Sequence, residues 1–211
     1  MANTTITNEH LSKALTYTQY REFIDKLLAE GRTTGENQSE EMVEYTRLNA
    51  QRMRRVEKTT VLDDEMVQVL LSVQTKMTWV VLTEPWCGDA AQNLPAIIKI
   101  ADASPFIDVK LLLRDENLDV MDQYLTNGGR SIPKLIALDA DTLQELGTWG
   151  PRPAIAQELV LKAKNENLPF QEMAEQLHGW YAKDHSRTLQ QEFKALLREW
   201  ALLTAREDQL V

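Results

Sequence analysis

From residue 79 onward the chain alternates short apolar runs with segments of helical periodicity, and that order restricts the fold more than any other feature. The runs at 79–83, 106–113, 134–138 and 143–149 are short and rich in apolar residues, the first strongly β-branched, which suits buried strands. Between the first two, Leu94, Ile97, Ile98 and Ala101 recur at helical spacing. Between the second and third, Asp115 is expected to cap a helix carrying Leu118, Met121 and Leu125 that stops at Gly128-Gly129. Asp139-Ala140-Asp141 makes a turn between the last two runs, and Gly150-Pro151-Arg152-Pro153 leads into a further helix. The order is β-α-β-α-β-β-α, an α/β class. Each strand-helix-strand unit is expected to pair in parallel by crossover, and the close β-β step to form a hairpin.

The flanks read as helical. Leu11, Leu15, Phe23, Ile24, Leu27 and Leu28 predict one amphipathic helix over 10–30, followed by a polar loop from 31 to 38. Asn37 and Glu40 have capping-box spacing for the next helix, in which Met42, Tyr45, Leu48 and Val56 share a side. Arg47, Arg52, Arg54, Arg55 and Lys58 make that helix locally basic, most simply as a solvated face in an acidic chain. Asp63 and Asp64 open a third helix. Beyond Pro169, one helical piece carries Phe170, Met173, Leu177, Trp180 and Tyr181, and another carries Leu189, Phe193, Leu196, Leu197 and Trp200. Three regions follow: an N-terminal helical extension over 1–60, a central domain over 61–166 and a C-terminal helical extension over 167–211.

A chain of 211 residues can bury a core without disulfide staples. A formal charge of −9 disfavours a general nucleic-acid or anionic-membrane partner. With a single cysteine, no intramolecular disulfide can form, which fits a reducing compartment. The absence of a leader-like start and of a long apolar run leads to the expectation of a cytoplasmic protein with no membrane partner.

That cysteine, Cys87, stands in Trp86-Cys87-Gly88 at the junction of the first strand and its helix. Pro95 follows eight residues later, and Ser131-Ile132-Pro133 precedes the third strand. In this order and spacing, the chain resembles the thioredoxin superfamily over residues 60–166. The resemblance implies a thioredoxin-like three-layer core, here with added N-terminal and C-terminal helices. Cys87 would be the attacking thiol and Pro133 a cis-proline facing it. Ile132 would offer its backbone to a peptide or to glutathione. The segments Trp86-Cys87-Gly88-Asp89-Ala90, Leu113-Arg114-Asp115-Glu116-Asn117 and Trp149-Gly150-Pro151-Arg152-Pro153 are similar to a bacterial subgroup with a Trp-Cys-Gly-Asp motif.

A dithiol cycle needs one sulfur to attack and a second to expel the product. The position for the second is Ala90, so the chain is not a self-contained disulfide reductase. A helix N-terminus favours the Cys87 thiolate, whereas Asp89, two residues on, opposes it if ionised. Arg114, Arg130 and Arg152 all fall at the expected carboxyl edge of the sheet. Convergence there would suit an anionic ligand, while Asp89, Asp115 and Glu116 are available for ordinary ion pairs. Arg114 is read as structural, with Arg130 and Arg152 left open. His10, His178 and His185 are scattered, none beside Cys87 in sequence, and the soft ligands of a zinc site are lacking. Trp180-Tyr181 and Trp200 read as packing anchors.

Three functions remain. The favoured one is a binding or adaptor protein using the ligand edge, with Trp86, Gly88, Asp89, Arg130, Ile132, Pro133 and Arg152 as its binding residues. The second is a monothiol oxidoreductase with Cys87 as nucleophile, resolved by glutathione or by a partner protein or small thiol. The third is a peroxide or redox sensor acting through Cys87. No resident cofactor or metal is expected beyond glutathione in the second case, and the oligomeric state is left open.

Overall fold

The computed structural model describes residues 5–207, with side chains to 203. It opens with α1 (Asn8–Lys13), α2 (Tyr17–Ala29), α3 (Glu40–Thr59) and α4 (Asp64–Ser72). The central frame is β1 (Met77–Thr83), α5 (Gly88–Asp102), β2 (Ile107–Leu113), a 3-10 turn (Arg114–Glu116), α6 (Leu118–Met121), β3 (Lys134–Asp139) and β4 (Glu145–Trp149). It closes with α7 (Ala154–Asn165), α8 (Phe170–Asp184) and α9 (Arg187–Glu207). No helix among the described residues is long and apolar enough to cross a membrane.

The sheet has the order β2-β1-β3-β4. β1 and β2 pair in parallel, with Met77 opposite Ile107, as the β-α-β crossover predicts. The second strand-helix-strand unit departs from expectation, because β3 runs antiparallel to β1. Its connection contains only a 3-10 turn and the four-residue α6, not a crossover helix. Asp115 caps nothing there, pairing with Arg114 at 2.6 Å instead, and Leu125 is exposed. β3 and β4 form the expected antiparallel hairpin, with a register shift between Ala137 and Leu138.

Alternation along β1 divides the interior into two cores. Trp79 and Val81 face one side with Leu94, Ile97, Met53 and Phe193. Val80 and Leu82 face the other with Ile136, Leu138, Val120 and Met121. Both faces of β1 are buried, which is why its sequence is a continuous apolar run rather than an alternating one. The first core is closed by α9, whose Phe193 and Trp200 rings sit 5.4 and 5.8 Å from Trp79. Lys194 of α9 is buried and bonds Asp63 at 3.1 Å and Glu65 at 2.7 Å, fixing α9 on the start of α4.

The helical flanks differ from expectation in three places. The 10–30 segment is two helices, because Leu15 leaves the helix to bridge Leu111 of β2. Thr16 then caps α2 through a reciprocal box with Gln19. Ser39, not Asn37, caps α3. The buried face of α3 is Val43, Thr46, Ala50, Met53 and Val56, with Leu48 exposed and Met42 and Tyr45 at its margin. The two stripes are offset by one residue, about 100° around the helix, and only tertiary contacts choose between them.

Candidate functional site

β1 delivers Glu84-Pro85-Trp86 into the sheet's carboxyl edge, and Cys87 becomes the N-cap of α5. The Ala90 amide donates to Cys87 Sγ at 3.5 Å. The thiol itself donates to the Ile132 carbonyl at 3.2 Å, and the Ile132-Pro133 peptide bond is cis. Cys87, Ile132 and Pro133 are thus brought together. Burial pushes the Cys87 thiol up to about 12, and the Asp89 charge pushes the same way. The Ala90 and Asp89 amides and Arg152 pull it down by less. Between the two opposing effects open in the sequence, suppression of the thiolate wins.

The Asp89 carboxylate is held by three hydrogen bonds from two residues. Arg152, from the loop before α7, donates to its Oδ2 from Nη2 at 2.5 Å and from Nε at 3.1 Å. Tyr181 of α8 donates its hydroxyl to Oδ1 at 2.7 Å, and Asn93 donates to the Tyr181 oxygen at 2.9 Å. A buried carboxylate needs such pairing, since an unpaired one would cost several kcal/mol. Arg152 therefore belongs to the site. Tyr181 does too, although its position in an apolar helical stripe marked it only as a packing residue.

Two arginines of the sequence reading stand elsewhere. Arg130 is exposed and forms a two-point pair with Asp122, at 2.6 and 2.9 Å. Asp122, eight positions earlier, satisfies it, so no three-arginine cluster forms. Arg114 pairs with Asp115 and lies over the Trp86 ring, 4.7 Å from its centroid. It holds Trp86 from behind.

Beneath the motif, Asn49 of α3 donates to the Pro85 carbonyl at 3.0 Å and accepts from Arg52 at 2.8 Å. Glu84 is buried; it accepts from the Asp115 amide at 2.9 Å and from the Thr34 hydroxyl. Desolvation raises its carboxyl to about 7 despite those bonds.

The surprise is His178. Its imidazole lies over Gly88, so close that a Cβ there would sit 3.0 Å from Cε1 and 3.3 Å from Nε2. The Arg52 guanidinium stands at 3.8 Å from the same point. Gly88 is required for this approach. In sequence, 91 positions separate Cys87 from His178, and nothing local links them. Burial, and then the Arg52 charge, lower the His178 pKa to about 4, so it is neutral at pH 7.

These groups open onto a cleft of about 1280 Å³. Its lining combines Cys87, Arg52, Arg152 and His178 with the apolar or aromatic side chains of Met42, Tyr45, Leu161, Phe170 and Met173. Arg130 does not line it, and Ser131 does. No cluster of three metal-ligating side chains occurs among the described residues.

The thioredoxin family model matches residues 35–174. A protein of unknown function from Pseudomonas aeruginosa has a similar structure, with a TM-score of 0.61 at 16% identity, covering 93% of this chain and 98% of that one. An HIV epitope-scaffold gives a TM-score of 0.55 at 16% identity, covering 82% and 96% respectively. At that identity both show fold alone. No curated protein matches significantly. The family match takes in α3, the Cys87 motif, the whole sheet and the start of α8, which is well over half the chain, and on that ground the protein belongs to the thioredoxin family.

Proposed function

We propose that this protein is a binding or adaptor member of its family, which uses the cleft beside Cys87 to hold a ligand and performs no thiol-disulfide cycle. One observation carries the reading. The half-buried Cys87 thiol donates to the Ile132 carbonyl and has Ala90 where a resolving sulfur would be. A thiol that is a hydrogen-bond donor at rest is a poor nucleophile, because thiolate is the attacking species. The raised pKa has the same physical origin, burial beside a carboxylate. Meanwhile the space next to it is large enough for a ligand and is lined by both polar and apolar groups. The single cysteine and the Trp86-Cys87-Gly88-Asp89 run fit a bacterial thioredoxin-like subgroup with that motif, in a reducing, cytoplasmic setting.

The test is a pH titration of Cys87 alkylation by iodoacetamide, with incubation in oxidised glutathione alongside. The expected result is a thiol that stays slow to alkylate well past pH 8.5, the range of a free cysteine, and that forms no glutathione adduct. A titration near or below that value, or a stoichiometric adduct, overturns the reading in favour of monothiol exchange.

A further inference from the structure

Arg52 and Arg55 have a status unusual in this chain. Most arginines with described side chains are paired to carboxylates, among them Arg21 with Glu57, Arg47 with Glu44, Arg54 with Asp25 and Arg198 with Glu65. Arg52 and Arg55, on α3, bond instead to side-chain amides: Arg52 to Asn49 and Arg55 to Gln92. In a chain with 32 acidic residues against 23 basic ones, a half-buried guanidinium without a carboxylate stands out. Lys164, also in the cleft, forms no ion pair among the described residues. The carboxylates of the same cleft are Asp89, neutralised by Arg152, and Glu175.

The hydrogen bonds around Gln92 also fix which nitrogen of His178 carries its proton. Arg55 can only donate, so Gln92 Oε1 is its acceptor at 2.8 Å. The Gln92 amide nitrogen then donates to His178 Nδ1 at 3.2 Å. Nδ1 accepts, so the neutral ring holds its hydrogen on Nε2, the atom that lies with Arg52 over Gly88. Two donors, one charged and one neutral, therefore share a corner of the cleft, and among the described residues neither bonds a carboxylate. The same cleft is lined by Met42 and Tyr45 of α3 and by Phe170 and Met173 of α8, and Phe170 is 63% exposed.

We infer that the cleft takes an amphipathic small-molecule anion, a carboxylate head bound by Arg52 and His178 Nε2–H with an apolar tail against Phe170, Met173 and Met42. This deepens the binding reading and rests on it. Charge complementarity selects the head, because a neutral ligand would leave the guanidinium desolvated without a counter-charge. The apolar wall selects the tail, because a small polar anion would leave Phe170 in water.

The experiment is calorimetric titration of the full chain with decanoate, with decanol and glutathione as the uncharged and the polar comparison. Decanoate is expected to bind, with decanol weaker and glutathione weaker still. Arg52→Gln should weaken decanoate by about tenfold or more, the scale of one charge-assisted hydrogen bond, and leave decanol unchanged. Arg54→Gln, whose guanidinium pairs with Asp25 outside the cleft, should change neither. Phe170→Ser, at an exposed site that carries no folding burden, should weaken decanoate and flatten its dependence on chain length. Equal binding of decanol and decanoate, or indifference of decanoate to both Arg52→Gln and Phe170→Ser, overturns the inference while leaving a binding cleft. Binding of glutathione in preference to decanoate also overturns it. The alkylation experiment above reports separately on whether Cys87 is a working thiol.

Discussion

Glu84 offers a direct test of the physics under the site. Its carboxyl is buried at the end of β1 between the Thr34 hydroxyl and the Asp115 amide, and burial raises its pKa from 4.5 to about 7. A folded-state pKa above the unfolded one means that the fold favours protonated Glu84. The stability it contributes is full below pH 4.5 and is lost as pH rises through 7. At about 1.4 kcal/mol per unit, the loss amounts to roughly 3 kcal/mol by pH 8. Glu84→Gln should remove it. A glutamine can accept from the Asp115 amide and donate to Thr34, whose hydroxyl reverses, so both bonds survive. Urea unfolding followed by tryptophan fluorescence at pH 5 and pH 8 measures the effect. The stability difference between variant and parent should move in favour of the variant by about 2–3 kcal/mol between those pH values. A difference that stays flat refutes the reasoning, since it would mean that Glu84 ionises in the fold as easily as in water.

Two further predictions concern the site's framework. Asp89→Asn removes a charge that raises the Cys87 pKa, so alkylation of Cys87 at pH 9 should accelerate. It also strands the half-buried Arg152, at a cost of about 3 kcal/mol measured by chemical denaturation. Unchanged alkylation would mean that burial alone governs the thiol. Gly150→Ala puts a Cβ at 2.2 Å from the Pro133 carbonyl oxygen at a residue with φ of +115°. Neither backbone can give way, so a loss of about 3 kcal/mol or more in stability is expected. A variant as stable as the parent would show that the two loops can part.

The fold was legible where the signal is local. Apolar runs marked all four strands, and Trp86-Cys87-Gly88, Pro95 and Ile132-Pro133 marked the thioredoxin frame. Local pattern failed where a distant partner decides. Leu15 fits a helical stripe, yet leaves the helix because Leu111 offers it backbone bonds. The segment after Asp115 has helix-like spacing, but Arg114 takes the carboxylate that would have capped it. The site follows the same division. Cys87, Asp89, Ile132, Pro133 and Arg152 lie in motifs and are found together. Arg130 has Asp122 close by and stays outside. His178 and Tyr181 reach the site from α8, a helix whose sequence announces only an apolar face. Arg52 was visible as part of a basic cluster, but only the structure shows that it lacks a carboxylate partner.

The triple hold on Asp89 has a consequence for how the chain is made. Its partners, Arg152 and Tyr181, lie 63 and 92 positions downstream. During synthesis, the motif around Cys87 leaves the ribosome long before either exists. Until Arg152 emerges, burying the first turn of α5 would bury an uncompensated charge, and until Tyr181 follows, Oδ1 of Asp89 lacks its hydroxyl donor. Completion of the cleft is thereby timed to the arrival of α8, and a chain cut short before it would expose Asp89, and the unfinished site, to quality control.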